Sequence, residues 1–130
     1  MKLLIATHNK GKIKELNTML SAAGIDVIGL DEAGVTFDVD ETGTTFEANA
    51  RLKAVQYAEA TGLMTLADDS GLQIDALDGE PGVYTARYGG ADLTQTQRME
   101  LVLGKLDGLE GAQRAARFRC AIVLADGTGE

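Results

Sequence analysis

Apolar positions in the first part of the chain follow two different spacings. Leu3-Leu4-Ile5-Ala6 is a short apolar run of the kind that forms a buried strand. After a polar loop that ends at Lys12, apolar residues recur at helical spacing, and Gly24 stands where a C-terminal cap is expected. The chain is therefore predicted to begin with a strand, a loop and a helix.

The middle of the chain is predicted to contain a strand and a second helix. Residues 35–39 alternate between apolar and polar side chains, as a half-exposed strand would. Thr44 fits the N-cap of a capping box in which Glu47 reaches back, and this box opens a helix that extends to about Thr61. The apolar stripe of that helix includes Lys53, which falls seven residues after Phe46.

The second half begins with an apolar run that leads into carboxylates. Residues 64–67 are predicted to form a strand, with a turn at Asp68-Asp69-Ser70-Gly71 and a return strand over residues 72–77. A second capping box, Thr94 to Gln97, precedes another helix. The last predicted strand covers residues 118–125.

Composition favours a small globular protein. With 130 residues and 45% hydrophobic content, residues 1–130 are predicted to form one domain. The net charge of −8 disfavours a nucleic-acid polymer as partner. The one cysteine, Cys120, has apolar neighbours and is predicted to lie in the core. The sequence shows no signal-peptide layout and no apolar run near the roughly 20 residues that span a membrane, so we expect a soluble, cytoplasmic protein without membrane contact.

A first candidate site is the loop between the first strand and the first helix. A helix N-terminus offers unpaired N–H groups and a favourable dipole for a phosphate, to which lysines add charge. This loop is not a Walker A motif, because Ala6 takes the place of the early glycine and Ile13 that of Ser or Thr. Solvated loop lysines are the alternative interpretation. The candidate residues are Thr7, His8, Asn9, Lys10, Gly11 and Lys12.

A second candidate site is the pair Asp68 and Asp69. Neighbouring strand residues point to opposite faces, so the two carboxylates are expected to have different partners. Ligands of open α/β sheets tend to bind at the carboxyl ends of strands, where this pair is predicted to lie. A purely structural Asp-rich turn closed by Gly71 is the alternative.

A third candidate group consists of Glu41, Asn49 and Lys53. An amine on an apolar helix stripe is costly to bury unless it meets a carboxylate or a ligand. Asn49 lies one turn earlier on the same side, and Glu41 precedes the helix as a possible oxygen ligand for Mg²⁺. The alternative is that Lys53 extends into solvent from the edge of the stripe.

Four segments, in this order, resemble motifs of the inosine-triphosphate pyrophosphatase family. That family hydrolyses non-standard purine nucleoside triphosphates to the monophosphate and pyrophosphate. The resemblance covers essentially all 130 residues. The segments are residues 6–12, residues 41–46 running into 49–54, residues 67–72 and residues 81–88.

The resemblance implies an α/β fold with a long, mixed, twisted sheet flanked by helices, and Mg²⁺ as cofactor. It implies that Asp69 orients or deprotonates the attacking water, that Lys53 neutralises phosphate charge and that Asp68 supports the acidic cluster. Glu41 and Asp69 would bind the metal ion. The substrate, a purine nucleoside triphosphate such as ITP, dITP or XTP, would contact Asn49, Ser70 and the residues from Thr7 to Lys12.

The resemblance departs from the family at one end. Family members continue beyond the strand that ends at Ala125, with a Phe-Gly-Tyr-Asp type motif and later a Ser-His-Arg motif, so this domain is expected to end early. Those motifs supply much of the nucleobase pocket. A homodimeric pyrophosphatase is the favoured prediction. The alternative is a truncated, non-catalytic module for nucleotide binding or dimerisation.

Overall fold

A computed structural model describes residues 1–111 and 113–130, and the chain forms two compact units. The first unit comprises Met1–Asp69 with Ala121–Glu130, and the second comprises Ser70–Cys120. No helix among the described residues is long and apolar enough to cross a membrane. The elements, in chain order, are β1 (Lys2–Ile5), α1 (Lys10–Leu20), β2 (Asp26–Ile28), α2 (Phe46–Thr61), β3 (Met64–Ile74), α3 (Gln95–Lys105) and β4 (Ala116–Ala125).

The four strands form one sheet in the order β2-β1-β3-β4. Strand β1 is parallel to both neighbours, with Leu3 opposite Val27 of β2 and Met64 of β3. The N–H of Asp75, just after β3, donates to the carbonyl of Ala115, just before β4. The end of β3 thus lies beside the start of β4, as an antiparallel pair requires, and the predicted mixed sheet is present.

Two helices cover opposite faces of the sheet in the first unit. Leu3 and Ile5 of β1 pack with Val27 in a cluster that the apolar side chains of α1 join. The intervening Leu4 is completely buried in another cluster, together with Tyr57 of α2. Because successive strand residues point to opposite faces, α1 and α2 flank the sheet on its two sides.

Helix α2 lies close to the sheet because small residues line the contact. Ala54 and Ala58 of α2 have no exposed surface and pack against Ala67 of β3 and Ala125 of β4. An alanine contact adds little side-chain bulk between helix and strand. The residue before Ala54 is Lys53, so the predicted lysine also lies near the strands.

The predicted strand over residues 35–39 is wrong. Residues 35–43, all of them described, have no regular secondary structure. Val35 and Val39 are nevertheless buried with Leu4 and Leu30. The backbone N–H of Val39 donates to the Tyr57 hydroxyl at 3.1 Å, so this segment satisfies a buried donor with a side chain instead of a neighbouring strand.

Helix α2 begins one residue later than predicted. Its N-cap is Thr45, whose hydroxyl accepts a hydrogen bond from the N–H of Ala48, and not Thr44. Two adjacent threonines make this one-residue choice difficult from sequence. The second predicted capping box is confirmed, because Thr94 and Gln97 make both reciprocal hydrogen bonds at the start of α3.

Strand β3 is longer than predicted and contains the acidic pair. The predicted turn over residues 68–71 and the return strand over residues 72–77 are wrong, because β3 is continuous from Met64 to Ile74. A short 3₁₀ turn, Asp75–Leu77, follows. Asp68 and Asp69 therefore lie inside a strand. Cationic partners balance their charges there, so the two carboxylates do not need the solvent exposure of a turn.

Cys120 is exposed, so its predicted place in the core is wrong. It belongs to β4, an edge strand of the sheet, and residues 116–120 of that strand are all exposed. An outer strand has a neighbour on one side only. Apolar sequence neighbours were therefore insufficient evidence of burial.

We expect Tyr57→Phe to lower the free energy of unfolding by about 1–2 kcal/mol, because the buried N–H of Val39 would lose its acceptor. Urea unfolding measures this change. Tyr84→Phe, which removes the hydroxyl of an exposed tyrosine, is the matched control and should leave stability unchanged. Equal effects of the two substitutions would contradict this account of the 35–43 segment.

Candidate active site

The predicted phosphate loop is a capped helix N-terminus. Asn9 is the N-cap of α1, and its Oδ1 accepts a hydrogen bond from the N–H of Lys12 at 3.1 Å. The Thr7 hydroxyl accepts from the N–H of Asn9 at 3.1 Å. These two side chains shape the loop, and the first helical turn, which starts at Lys10 and Gly11, presents backbone N–H groups suited to an anion.

Lys12 connects this loop to the acidic pair. Its Nζ lies 3.0 Å from both carboxylate oxygens of Asp68. The lysine is partly exposed, whereas the Asp68 side chain is only 20% exposed. Two sites that were predicted separately thus meet in the first unit.

Lys53 is surrounded by acceptors. Its Nζ lies 3.0 Å from Glu41 Oε1 and 4.0 Å from Asp69 Oδ1. It also donates to the backbone carbonyl of Asp68. The lysine side chain is only 16% exposed, so it is paired within the unit and does not extend into solvent.

The alternation of β3 explains why adjacent aspartates meet different lysines. Met64 and Leu66 belong to the cluster on the α1 side, and Ala67 belongs to the cluster on the α2 side. Continuing this period of two, Asp68 faces α1, which carries Lys12, and Asp69 faces α2, which carries Lys53. The predicted separation of the two carboxylates onto opposite faces is confirmed by their salt bridges.

The environment of Asp69 raises the pKa of its carboxyl group above the ordinary value. Burial is the largest cause, and the nearby charges of Glu41 and Asp68 act in the same direction. Lys53 and the amide of Asn49 oppose the shift. Among the described residues, Asp69 Oδ2 is a buried oxygen without a hydrogen bond of acceptable geometry. A cation beside this oxygen would be favourable.

Asn49 lies beneath this group and has no exposed surface. Its Oδ1 accepts a hydrogen bond from the N–H of Gly43 at 2.7 Å. Its Nδ2 is close enough to Asp69 to lower the pKa of that carboxyl, yet within the described part of the chain it makes no hydrogen bond of good geometry. The predicted contact of Asn49 with substrate stays a prediction.

His8 faces two carboxylates that sequence reasoning missed. Its Nδ1 lies 2.7 Å from Asp31 Oδ1, and its Nε2 lies 3.5 Å from Asp38 Oδ1. The hydrogen bond to Asp31 is the main cause that raises the pKa of His8 above 6.5. Since these aspartates are 23 and 30 residues away in sequence, no local pattern identified them.

Fewer contacts describe the surroundings of the remaining predicted residues. Lys10 is the first residue of α1 and is exposed, as is Gly11. Ser70 follows Asp69 directly in β3 and begins the second unit. Their predicted roles in substrate binding stay predictions.

The donor set of the site fits a divalent cation of the Mg²⁺ type. Glu41 and Asp69 offer carboxylate oxygens, and one oxygen of Asp69 is unpaired among the described residues. Within residues 1–111 and 113–130, no group of three or more His, Cys, Asp or Glu side chains is arranged to hold a metal ion. Mg²⁺ is commonly held by one or two carboxylates together with substrate phosphates, so two protein carboxylates are compatible with it.

Comparison with known proteins gives consistent matches. The model of the Ham1 family matches residues 3–130. The dITP/XTP pyrophosphatase of Bacillus subtilis is 51% identical over 122 residues, which cover 94% of this chain and 62% of that protein. The protein of the same name from an Exiguobacterium species is 52% identical over 130 residues, which cover 100% of this chain and 65% of that protein. The chain thus spans less than two thirds of these relatives.

Solved structures confirm the α/β fold. The chain resembles a HAM1 protein from Coxiella burnetii with a TM-score of 0.90 and 39% identity, over 98% of this chain and 64% of that one. It resembles a nucleoside-triphosphatase, dITP/XTP pyrophosphatase from Mycobacterium abscessus with a TM-score of 0.85 and 37% identity, over 100% of this chain and 67% of that one. The predicted sheet flanked by helices is therefore confirmed.

We expect His8 to titrate above pH 6.5, because Asp31 stabilises its protonated form. The contribution of this pair to the stability of the fold is complete below the unfolded-state pKa near 6.5. It is lost as the pH rises through the higher folded-state pKa of His8. NMR titration is unambiguous because the chain has one histidine. Asp31→Asn should lower the pKa towards 6.5, whereas an unchanged pKa would contradict the pairing.

We expect Lys53→Met to lower the free energy of unfolding, measured without metal ions, by about 3 kcal/mol, because Glu41 and Asp69 would lose their shared cation. Lys14→Met, at an exposed position of α1, is the matched control and should change stability by less than about 0.5 kcal/mol. If both substitutions changed the free energy of unfolding by the same small amount, Lys53 would not be holding the carboxylates together.

Proposed function

The chain belongs to the Ham1 family, and on that premise we propose that it hydrolyses non-standard purine nucleoside triphosphates to the monophosphate and pyrophosphate. The relatives from Bacillus subtilis and Exiguobacterium are named dITP/XTP pyrophosphatases, which supports ITP, dITP and XTP as the substrate class. The observation that carries the proposal is the pairing of Lys12 with Asp68 and of Lys53 with Glu41 and Asp69. It joins a phosphate loop to a carboxylate site.

The N-terminus of α1 is the proposed triphosphate site. Lys12 contributes charge, and the backbone N–H groups in the first turn of α1 can donate to phosphate oxygens. Lys10, exposed at the start of the helix, would add a second charge. Thr7 and Asn9 shape the loop through their hydrogen bonds and so act on the substrate through backbone geometry.

The charge balance of the site supports a metal cofactor. Lys10, Lys12 and Lys53 are matched by the carboxylates of Glu41, Asp68 and Asp69, so these side chains leave no net positive charge for a triphosphate. We propose that Glu41 and Asp69 hold Mg²⁺. When bound, the ion would neutralise phosphate charge and acidify a water molecule.

Asp69 is the proposed residue that orients the attacking water and accepts its proton. In the metal-free protein, burial raises the pKa of its carboxyl group, a shift that favours acceptance of a proton. The water oxygen would bond to the α-phosphorus as the bond from that phosphorus to the bridging oxygen breaks, and pyrophosphate would leave. Lys53 would neutralise phosphate charge, and Asp68 would hold Lys12 beside the reacting groups.

Further parts of the proposal rest on the family resemblance. Ser70, directly after Asp69 in β3, would contact substrate. His8, held by Asp31, would lie beside the triphosphate as part of the loop. A homodimer and a cytoplasmic location stay predictions, and sedimentation of the purified chain tests the first of them.

We expect the purified chain to release pyrophosphate from ITP, dITP and XTP faster than from the four standard triphosphates, and only with Mg²⁺. Asp69→Asn should lower kcat by about 100-fold or more, because the proposed proton acceptor is lost. A colorimetric assay of pyrophosphate measures both effects. Asp92→Asn, at an exposed position, is the matched control and should retain full activity.

One result would replace the catalytic proposal with the alternative. If the chain turned over no triphosphate but bound ITP in calorimetry, the non-catalytic nucleotide-binding module would stand.

A further inference from the structure

Asn49 has an unusual combination of properties for a polar residue beside a reactive site. Its side chain has no exposed surface, so direct contact with a bound triphosphate is not available in this arrangement. Oδ1 accepts a hydrogen bond from the N–H of Gly43, whereas Nδ2 makes none of acceptable geometry within the described part of the chain.

The contact with Gly43 is tightly fitted. A Cβ added at Gly43 would lie 2.7 Å from Asn49 Oδ1 and 2.8 Å from the Cβ of Ala48. Contacts below 3.0 Å require a shift, and Ala48 Cβ is fixed to helix α2. The absence of a side chain at position 43 therefore lets the irregular segment approach α2 closely.

This contact lies two residues after Glu41. Residues 35–43, all described, have no regular secondary structure, so the segment lacks a strand ladder to fix its position. Asn49 and Lys53 lie one turn apart on α2, and they hold Gly43 and Glu41 respectively. The helix thus fixes the segment at the Glu41 carboxylate and again two residues later at Gly43.

We infer that Asn49 is a positioning residue that holds the Glu41 segment against α2 through its hydrogen bond with the N–H of Gly43. Its role is to keep the Glu41 carboxylate near Lys53 and Asp69 for the cation, and it does not bind the triphosphate. This inference rests on the proposed function, since it takes Glu41 and Asp69 as the residues that would hold the metal ion. Residues that orient metal ligands commonly change metal affinity when they are removed.

Mn²⁺ is a suitable probe, because carboxylate sites that suit Mg²⁺ also bind it and its free concentration is read by electron paramagnetic resonance. In the full 130-residue chain without nucleotide, Asn49→Ala should weaken Mn²⁺ binding by about tenfold or more. Gly43→Ala should produce a comparable loss while Asn49 itself is intact. Exchange of the Gly43 amide proton should become faster in Asn49→Ala, because its acceptor is gone.

Thr65→Val is the matched control for general destabilisation. Thr65 is also a polar residue with no exposed surface, and its hydroxyl donates to the carbonyl of Leu63 at 3.0 Å. Its removal should lower stability and leave Mn²⁺ affinity within about twofold. The combination of Gly43→Ala with Asn49→Ala should weaken binding less than the sum of the single effects, because residues in contact act on one property.

A second readout separates positioning from substrate binding. At saturating Mg²⁺, Asn49→Ala should lower kcat and change KM for ITP by less than about threefold. A rise in KM alone is expected only when an interaction with the substrate is lost. A raised KM with unchanged Mn²⁺ affinity would overturn the inference and return Asn49 to the substrate contacts. Wild-type protein that binds no Mn²⁺ would overturn it as well.

Failure of the proposed function has a different signature. A wild-type chain that binds Mn²⁺ but releases no pyrophosphate would contradict the catalytic proposal alone. The Mn²⁺ titrations and the Gly43 amide exchange would still decide whether Asn49 positions the Glu41 segment.

Discussion

The ammonium group of Lys53 lies among oxygen atoms of three residues that come from two different parts of the first unit. Glu41 comes from an irregular segment, and Asp68 and Asp69 come from the middle of a strand. Partly buried carboxylates repel one another and lose solvation, so they remain close only if a cation is shared between them. The lysine on α2 supplies this charge, and the arrangement of the site depends on it.

The same constraint explains the form of β3. A strand that carries adjacent carboxylates cannot bury both on one face, and the pleat sends them to opposite sides of the sheet. Each side has a helix with a lysine at the required position, Lys12 on α1 and Lys53 on α2. The sheet is therefore the element that separates two charges adjacent in sequence and supplies each with its own partner.

Stability and chemistry are in tension at Asp69. Burial raises the pKa of its carboxyl group, so ionising this group is less favourable in the folded protein than in the unfolded chain. The partners that remain, Lys53 and the amide of Asn49, offset this only in part. Within the described residues, one buried oxygen of Asp69 has no hydrogen bond of acceptable geometry, and this unsatisfied acceptor supports the proposal that the site binds a ligand.

Some features were determined by sequence because they depend on neighbours in the chain. The strand, loop and helix at the start, the Thr94 capping box and the opposite orientation of Asp68 and Asp69 follow from periodicity or local hydrogen bonds. The motifs also identified the family correctly, since their order along the chain is a property of sequence alone.

Other features were decided by tertiary structure. Whether residues 35–39 formed a strand depended on the hydroxyl of Tyr57, 18 residues beyond Val39, which took the hydrogen bond that a strand neighbour would have received. Whether the acidic pair ended β3 or lay inside it depended on Lys12 and Lys53, 56 and 16 residues from their aspartates. A sequence shows which groups require a partner, but the free energy of satisfying them is known only when the fold brings the partner near.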